Sequence, residues 1–449
     1  MKDESVQFCS MIANLHAFFW VILLEITCNF AIIVRDCMSE YRLHSRTMAE
    51  EVLALSRSFP CVLVTGARQV GKSTLLKSLL PPGMEYITLD DYRLAKEAQD
   101  DPIGFLEGYD VPLCIDEIQY APGLMRAMKM KIDASPGCKG MYWLTGSQRF
   151  HLMQGVSETL AGRIGILDLY TFSQDEIVGR HSQTRPFSTE SEALKERARK
   201  GCICNINELY ERIWRGGYPA MVCDETTRAE QFFSAYLQTY LERDVQSLKQ
   251  VGDRGAFVAL MKSAAARTGQ QLVYSDIAKD ADVSVNTAKQ WISILEASGI
   301  INLLPPYYVN TTKRLAKSPK LYFMDTGLCA WLCGWTSPEV LKNGAMAGAI
   351  LETWVYGQLC RSFANRGIMP RMCYYRDGRG SEVDFLIEQD GCIFPLEVKR
   401  SSSPTLADLK AAATIPLGKA ELKPGVVLCS AMEMFPLGKG NYAFPISAL

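Results

Sequence analysis

The sequence predicts an α/β protein: a parallel sheet around a phosphate-binding loop in the first half, and a further α/β domain at the end. Three stretches carry that prediction. Cys61–Leu76 reads CVLVTGARQVGKSTLL, an apolar strand, a glycine loop and the start of a helix in that order. VPLCIDEIQ at Val111–Gln119 is a short apolar run that closes on Asp116 and Glu117. SEVDFLIE and CIFPLEVKR, near the C-terminus, set acidic groups and a lysine inside apolar strands.

The chain of 449 residues is too long for one ordinary core, so roughly two to four domains are expected. A hydrophobic content of 48% and a charged content of 22% exclude a disordered or fibrous chain. The net charge of −1 excludes a globally basic nucleic-acid binder but leaves room for a local basic patch. There are 15 cysteines without a C-x-x-C pair, and 4 histidines (His16, His44, His151, His181) without ligand spacing, which argues against zinc. Scattered cysteines beside a nucleotide motif suggest a reducing, cytoplasmic setting in which most pack as small apolar side chains.

Residues 1–37 form an apolar extension. Met11–Val34 is nearly all apolar and long enough for a membrane helix. Against that, Glu25 lies near its middle, where a carboxylate costs about 2.5–3.5 kcal/mol. Three readings stand: a membrane tether, an extension upstream of a start at Met38 or Met48, and a buried helix. It is no standard signal peptide.

The loop at Gly66, Ala67, Arg68, Gln69, Val70, Gly71, Lys72, Ser73 and Thr74 fits G-x-x-x-x-G-K-S and begins a helix. Gly66 and Gly71 let the backbone curl until successive N–H groups face one oxyanion, and the helix adds its positive end. ATP with Mg²⁺ is the expected ligand: Lys72 reaches the outer phosphates and the Ser73 hydroxyl holds the ion. Asp116 is assigned to the metal shell and Glu117 to the attacking water. A third strand, Met141–Arg149, carries Ser147 and Gln148 at its tip, Ser147 being a candidate γ-phosphate sensor or simply a turn former after Gly146. Arg163, in LAGR, faces either a γ-phosphate, in this chain or a neighbouring copy, or a surface ion pair. The ATPase core is placed at 38–200.

Helical sequence at 201–262, interrupted by the turn Gly216-Gly217-Tyr218-Pro219, reads as a lid, with Arg215 and Arg243 as nucleotide, interdomain or ion-pair contacts. At 263–315, two short helices and apolar strand pieces give a helix-turn-helix with a wing. Its second helix is capped by Ser284 and turns Asn286, Thr287, Lys289, Gln290 and Ser293 outward, side chains that suit base edges or phosphates of duplex DNA. Lys313, Arg314, Lys317 and Lys320 form a basic cluster after the wing. A module that only links domains or binds protein has the same outline.

In the last domain, 316–449, Glu352 lies in a helix and Asp384 in a strand, with Glu397 and Lys399 two apart on one side of the next. This resembles the PD-(D/E)xK nuclease core, where carboxylates bind Mg²⁺ or Mn²⁺ and the lysine assists the water. The resemblance implies a second metal site at Glu352, Asp384 and Glu397. An inherited fold that cuts nothing and serves binding or oligomerisation is the alternative.

GARQVGKST, LDD, IDEIQ, LTGSQ and LAGR, then GGYP, YLERD, KSPKLY, DTGL, EVD and EVK follow one another in this order. From about Met38 onward the chain resembles a prokaryotic AAA+-type ATPase family with a C-terminal domain of unknown function. The resemblance implies ATP binding, a sheet with an inserted sensor strand, and a fold of ATPase core, lid, winged helix and restriction-endonuclease-like domain. A homo-oligomer is a further expectation.

Overall fold

Strand β1 (Cys61–Thr65) is buried along its whole length because both faces of its sheet are covered. Val62 and Val64 face one core, Cys61 and Leu63 the other, which is why CVLV reads as a continuous apolar run. The computed structural model describes residues 44–147, 159–181, 185–242, 253–310 and 317–449. The apolar segment 11–34, Arg243, Lys313 and Arg314 lie outside the described residues. No helix among the described residues is long and apolar enough to cross a membrane.

Helix α1 (Ala49–Ser58) precedes β1, and α2 (Lys72–Leu79) follows the loop. Then come β2 (Glu85–Thr88), α3 (Tyr92–Asp100), α4 (Pro102–Glu107), β3 (Leu113–Asp116), α5 (Leu124–Ala134), β4 (Tyr142–Gly146) and β5 (Ile164–Asp168). The strands pair in the order β2-β3-β4-β1-β5, all parallel. Strand β4 therefore lies between β1 and β3, as the inserted-strand reading expects. The carboxyl ends of β1, β3 and β4 deliver Gly66, Asp116 and Ser147 to one edge of the sheet.

Two further helices, α6 (Gln174–Ile177) and α7 (Ser191–Lys200), occupy the charge-rich connector. Next are α8 (Ile206–Arg215), α9 (Pro219–Cys223), α10 (Ala229–Tyr240) and α11 (Arg254–Ala265). GGYP forms the turn between α8 and α9. A three-stranded antiparallel sheet combines β6 (Gln270–Gln271), β7 (Ile301–Leu304) and β8 (Lys320–Phe323) in the order β6-β8-β7. Between β6 and β7 run α12 (Tyr274–Asp280) and α13 (Val285–Ala297), whose Ala288, Trp291, Ile292 and Leu295 are buried.

The last part has α14 (Thr326–Leu332), α15 (Pro338–Asn343) and α16 (Ala347–Ala364). Its mixed sheet runs β9 (Met372–Arg376), β10 (Glu382–Gln389), β11 (Cys392–Lys399), β13 (Val426–Cys429), β15 (Asn441–Pro445) and β14 (Phe435–Gly438), with β12 (Glu421–Leu422) beside β11. Ser45–Leu449 is one compact unit. One apolar core runs from Leu75 and Leu76 through Tyr218, Phe257 and Trp291 to Tyr322, Tyr356 and Phe385.

Candidate nucleotide site and C-terminal acidic site

The loop takes its shape from two glycines. Gly66 has φ +147, and a Cβ there would meet the Leu169 carbonyl oxygen at 2.1 Å, so no other residue fits. Gly71 has φ +94, and the nearest atom to a Cβ there is Pro219 Cγ at 3.8 Å. The GGYP turn thus sits beside the loop. Ala67 and Val70 are buried, Arg68 is half-buried, and Gln69 (φ 59) and Thr74 are exposed. Lys72, itself buried, donates from Nζ to the Gly66 and Ala67 carbonyl oxygens at 3.1 and 2.8 Å.

Around Asp116 three hydroxyls converge. Ser73 Oγ donates to Oδ1 at 2.7 Å, Thr145 Oγ1 to Oδ1 at 2.5 Å and Thr88 Oγ1 to Oδ2 at 3.4 Å. A hydroxyl and a carboxylate this close are hard oxygen donors, the pair that Mg²⁺ takes beside phosphate oxygens. The fit to the implied ion is good: Ser73 and Asp116 would hold it, and when bound it neutralises phosphate charge.

Glu117 stands in a left-handed conformation (φ 56), its N–H donating to Thr145 Oγ1 at 3.0 Å. Its Oε2 accepts from Gln119 Nε2 and from Ser147 Oγ at 3.4 Å, and Gln119 Nε2 also donates to Ser147 Oγ at 3.2 Å. Glu117 and Ser147 are therefore neighbours, joined by Gln119. The sequence reading gave Gln119 no role; its signal was the position two residues after Glu117 in IDEIQ. Thr88 and Thr145 were missed as well.

Of the alternatives open for Arg163, a phosphate contact or a surface ion pair, the structure shows the ion pair. Arg163 directly precedes β5, whose Ile164 pairs with Cys61 and Asp168 with Thr65, so it lies at the amino edge of the sheet. That is four residues, about 13 Å of strand, from the edge that bears the loop. Its Nε pairs with Asp133 Oδ1 at 2.6 Å on a partly exposed surface. Arg215 also points elsewhere, donating to the Met221 and Asp224 carbonyl oxygens at 2.6 and 2.9 Å.

Two motifs far apart in sequence meet beside the loop. Gly217 N–H donates to Asp325 Oδ2 at 2.8 Å, and Phe172 N–H donates to the Gly217 carbonyl at 2.8 Å. A Cβ on Gly216 would lie 2.4 Å from Asp325 Oδ1, and one on Gly327 would lie 2.6 Å from the Arg215 carbonyl. GGYP and DTG are glycine-rich because their backbones touch. A cleft of about 120 Å³ opens here, lined by Gly66, Ala67, Tyr218, Gly299, Asn302 and Asp325. Gly299 follows α13, and a Cβ there would come within 3.5 Å of the Ala67 nitrogen, so the C-terminal end of α13 abuts the phosphate loop.

On α13, Asn286, Lys289, Gln290 and Ser293 are exposed and Thr287 is half-buried; Ser284 caps it, accepting from Thr287 N–H at 3.1 Å. Lys317 is exposed, but Lys320 is not part of a surface cluster. It is 3% exposed, because β8 is the central strand of its sheet and is buried at every position.

Lys320 lies instead among the C-terminal carboxylates, 2.9 Å from Glu352, 2.5 Å from Glu382 and 3.9 Å from Asp384. Tyr322 Oη donates to Glu352 at 2.5 Å, and Val398 N–H to Asp384 Oδ2 at 2.8 Å. Lys399 pairs with Glu397 at 2.6 Å, on one side of β11 as its spacing requires, while the second Glu397 oxygen is buried without a hydrogen-bond partner. Burial, with Asp384 adding to it, pushes the Glu352 carboxyl up to about 7 and that of Glu397 up to about 8. Burial also raises Asp384. Among the described residues no three Asp, Glu, His or Cys groups converge closely enough to hold a metal ion. The sequence-based expectation of a second metal at Glu352, Asp384 and Glu397 does not fit this arrangement. Glu382 and Lys320 were the missed members; a lysine heading the apolar run Leu321–Met324 was the available signal.

The profile of an AAA domain matches residues 58–178. Two domains of unknown function, DUF8612 and DUF4143, match 206–339 and 347–449. The uncharacterized proteins Rv2008c of Mycobacterium tuberculosis and Mb2031c of Mycobacterium bovis are each 28% identical over 406 residues, 87% of this chain and 81% of theirs. Among solved structures, the Walker-type ATPase Paby2304 of Pyrococcus abyssi covers 65% of this chain and 99% of its own, at 16% identity and TM-score 0.42. A single-substitution variant of Thermotoga maritima RuvB covers 57% and 87%, at 16% identity and TM-score 0.28. The chain thus combines an AAA domain, spanning the loop and its acidic strand, with a closing DUF4143 domain, and in this it is similar to AAA+-type P-loop ATPases that carry a C-terminal domain of unknown function.

Proposed function

We propose that the chain hydrolyses ATP and that this cycle controls a DNA-binding C-terminal half. The observation that carries the reading is the convergence of Lys72, Ser73, Asp116, Glu117 and Ser147 on the carboxyl edge of one parallel sheet. Lys72 neutralises phosphate charge, the loop N–H groups orient the chain of phosphates, and Glu117 accepts a proton from the attacking water. Ser147, hydrogen-bonded to Glu117, reports on the leaving phosphate. The contact of Gly299 with Ala67 gives the cycle a route to α13, whose outward face would meet duplex DNA. The ATPase core at 38–200 and the lid at 201–262 then act on a winged helix at 263–315 and a nuclease-like domain from 316.

A second reading is an ATP-gated switch whose nuclease-like domain binds partners and cuts nothing. Lys320 among the carboxylates favours it for the C-terminal domain. One preparation separates the two: ATP hydrolysis with and without duplex DNA, and nucleic-acid cleavage in Mg²⁺ or Mn²⁺. Stimulation by DNA that fades with salt supports the DNA-binding reading. Cleavage abolished by Asp384→Ala supports processing; neither binding nor cleavage leaves the switch.

A further inference from the structure

The acidic constellation of the C-terminal domain already contains a cation. Glu352 comes from α16, Glu382 and Asp384 from one face of β10, and all three turn their oxygens toward Lys320 Nζ on β8. The lysine is held from behind. Its backbone is paired with Leu304 of β7 on one side and Gln271 of β6 on the other, so the ammonium projects from the middle of a sheet. The ring of Tyr374 lies 5.5 Å from Nζ and closes another side of the cage.

Size and charge both set this cage apart from a metal site. Oxygens that surround an ammonium stand at hydrogen-bond distance, whereas Mg²⁺ draws its ligands in to about 2.0–2.1 Å. A divalent ion admitted beside a buried ammonium would also face strong repulsion, because little water is present to screen it. Without Lys320, Glu352 and Asp384 would share a largely buried space with the half-buried Glu382, an arrangement that is costly unless a cation or protons enter. Burial works against the ammonium, but the facing Glu352, Asp384 and Glu382 outweigh it and keep the amine charged.

We propose that Lys320 is the resident cation of this cage: its ammonium takes up Glu352 and Asp384, two of the three carboxylates a nuclease-type metal site would need, and the folded C-terminal domain holds neither Mg²⁺ nor Mn²⁺. The constellation then serves cohesion. It fastens α16 and β10 to β8, the strand that runs on through Met324 to Asp325 and its contact with Gly217. Nothing in the cage touches nucleotide chemistry, so a Lys72 variant and a Lys320 variant answer separate questions.

The test titrates Mn²⁺ alone into the nucleotide-free full chain and counts bound ion by electron paramagnetic resonance. Wild type and Asp384→Asn should bind the same amount of Mn²⁺. Lys320→Met should gain a site absent from the wild type, and Asp384→Asn in that background should remove it. Wild-type binding of one Mn²⁺ per chain that Asp384→Asn abolishes overturns the proposal, as does a natively folded Lys320→Met chain that gains no site. If Lys320→Met fails to fold, thermal melting of the wild type decides: unchanged Tm at saturating Mn²⁺ is expected, and a rise lost in Asp384→Asn overturns it.

Discussion

The Ser73 hydroxyl donates to the Asp116 carboxylate across 2.7 Å, joining the first turn after the phosphate loop to the tip of β3. Thr88 and Thr145 hold the same carboxylate from the flanking strands, so Asp116 is oriented before any nucleotide arrives. The next residue, Glu117, turns out of the strand through a left-handed conformation and is held by Gln119 and Ser147. Adjacent carboxylates thus receive different surroundings, one among three hydroxyls and one beside the polar pair of Gln119 and Ser147.

That division predicts the behaviour of Glu117→Gln. The substitution preserves shape but removes the proton acceptor, so turnover should fall by about 10²–10⁴-fold while ATP binding persists. Single-turnover hydrolysis and equilibrium nucleotide binding measure the two halves. Equal loss of both would assign Glu117 to binding instead.

The C-terminal carboxylates predict a pH dependence. Glu397 rises to about 8 and Glu352 to about 7 in the fold, against about 4.3 in an unfolded chain. The folded state therefore binds more protons over that interval. The proton-linked stability is full below the unfolded value, declines as pH rises, and is gone above about pH 8. Tm should fall from pH 5 to pH 8, and the fall should be shallower in Glu397→Gln. A Tm that rises over this range, or an equal fall in the variant, contradicts the assignment.

The meeting of GGYP with DTG predicts that Gly216→Ala is destabilising. Its φ of +75 is strained for alanine, and the added Cβ would press on Asp325. A cost of about 1–3 kcal/mol is expected in urea unfolding. Gly162→Ala has the same φ of +75 with nothing within 4 Å of the new Cβ, and should cost less. Equal costs would mean that backbone strain alone, without the contact to Asp325, sets the effect.

The sheet and its loop were legible because short-range chemistry writes them. CVLV followed by G-x-x-x-x-G-K-S needs only its own neighbours to be read, and the polar ends of β3 and β4 mark the edge that bears the loop. What escaped depended on distant partners. Gly217 was readable as a turn, but Asp325, which receives its N–H, is 108 residues away. For Arg163 the sequence left a phosphate contact and a surface ion pair open, and only strand register, which puts it at the amino edge of the sheet beside Asp133, separates them. Lys320 looked like one more surface charge near Lys313, Arg314 and Lys317. Only the pairing of β8 between two strands reveals it as buried, and only α16 and β10 supply the carboxylates that make burial tolerable.

The central claim is that Gly66–Ser73 binds ATP and that the site hydrolyses it. Its most direct test is Mg²⁺-dependent ATP binding and turnover by Lys72→Ala, with native folding verified by circular dichroism. The account predicts loss of nucleotide binding, of turnover, or of both. Hydrolysis at the wild-type rate in the folded variant would contradict it.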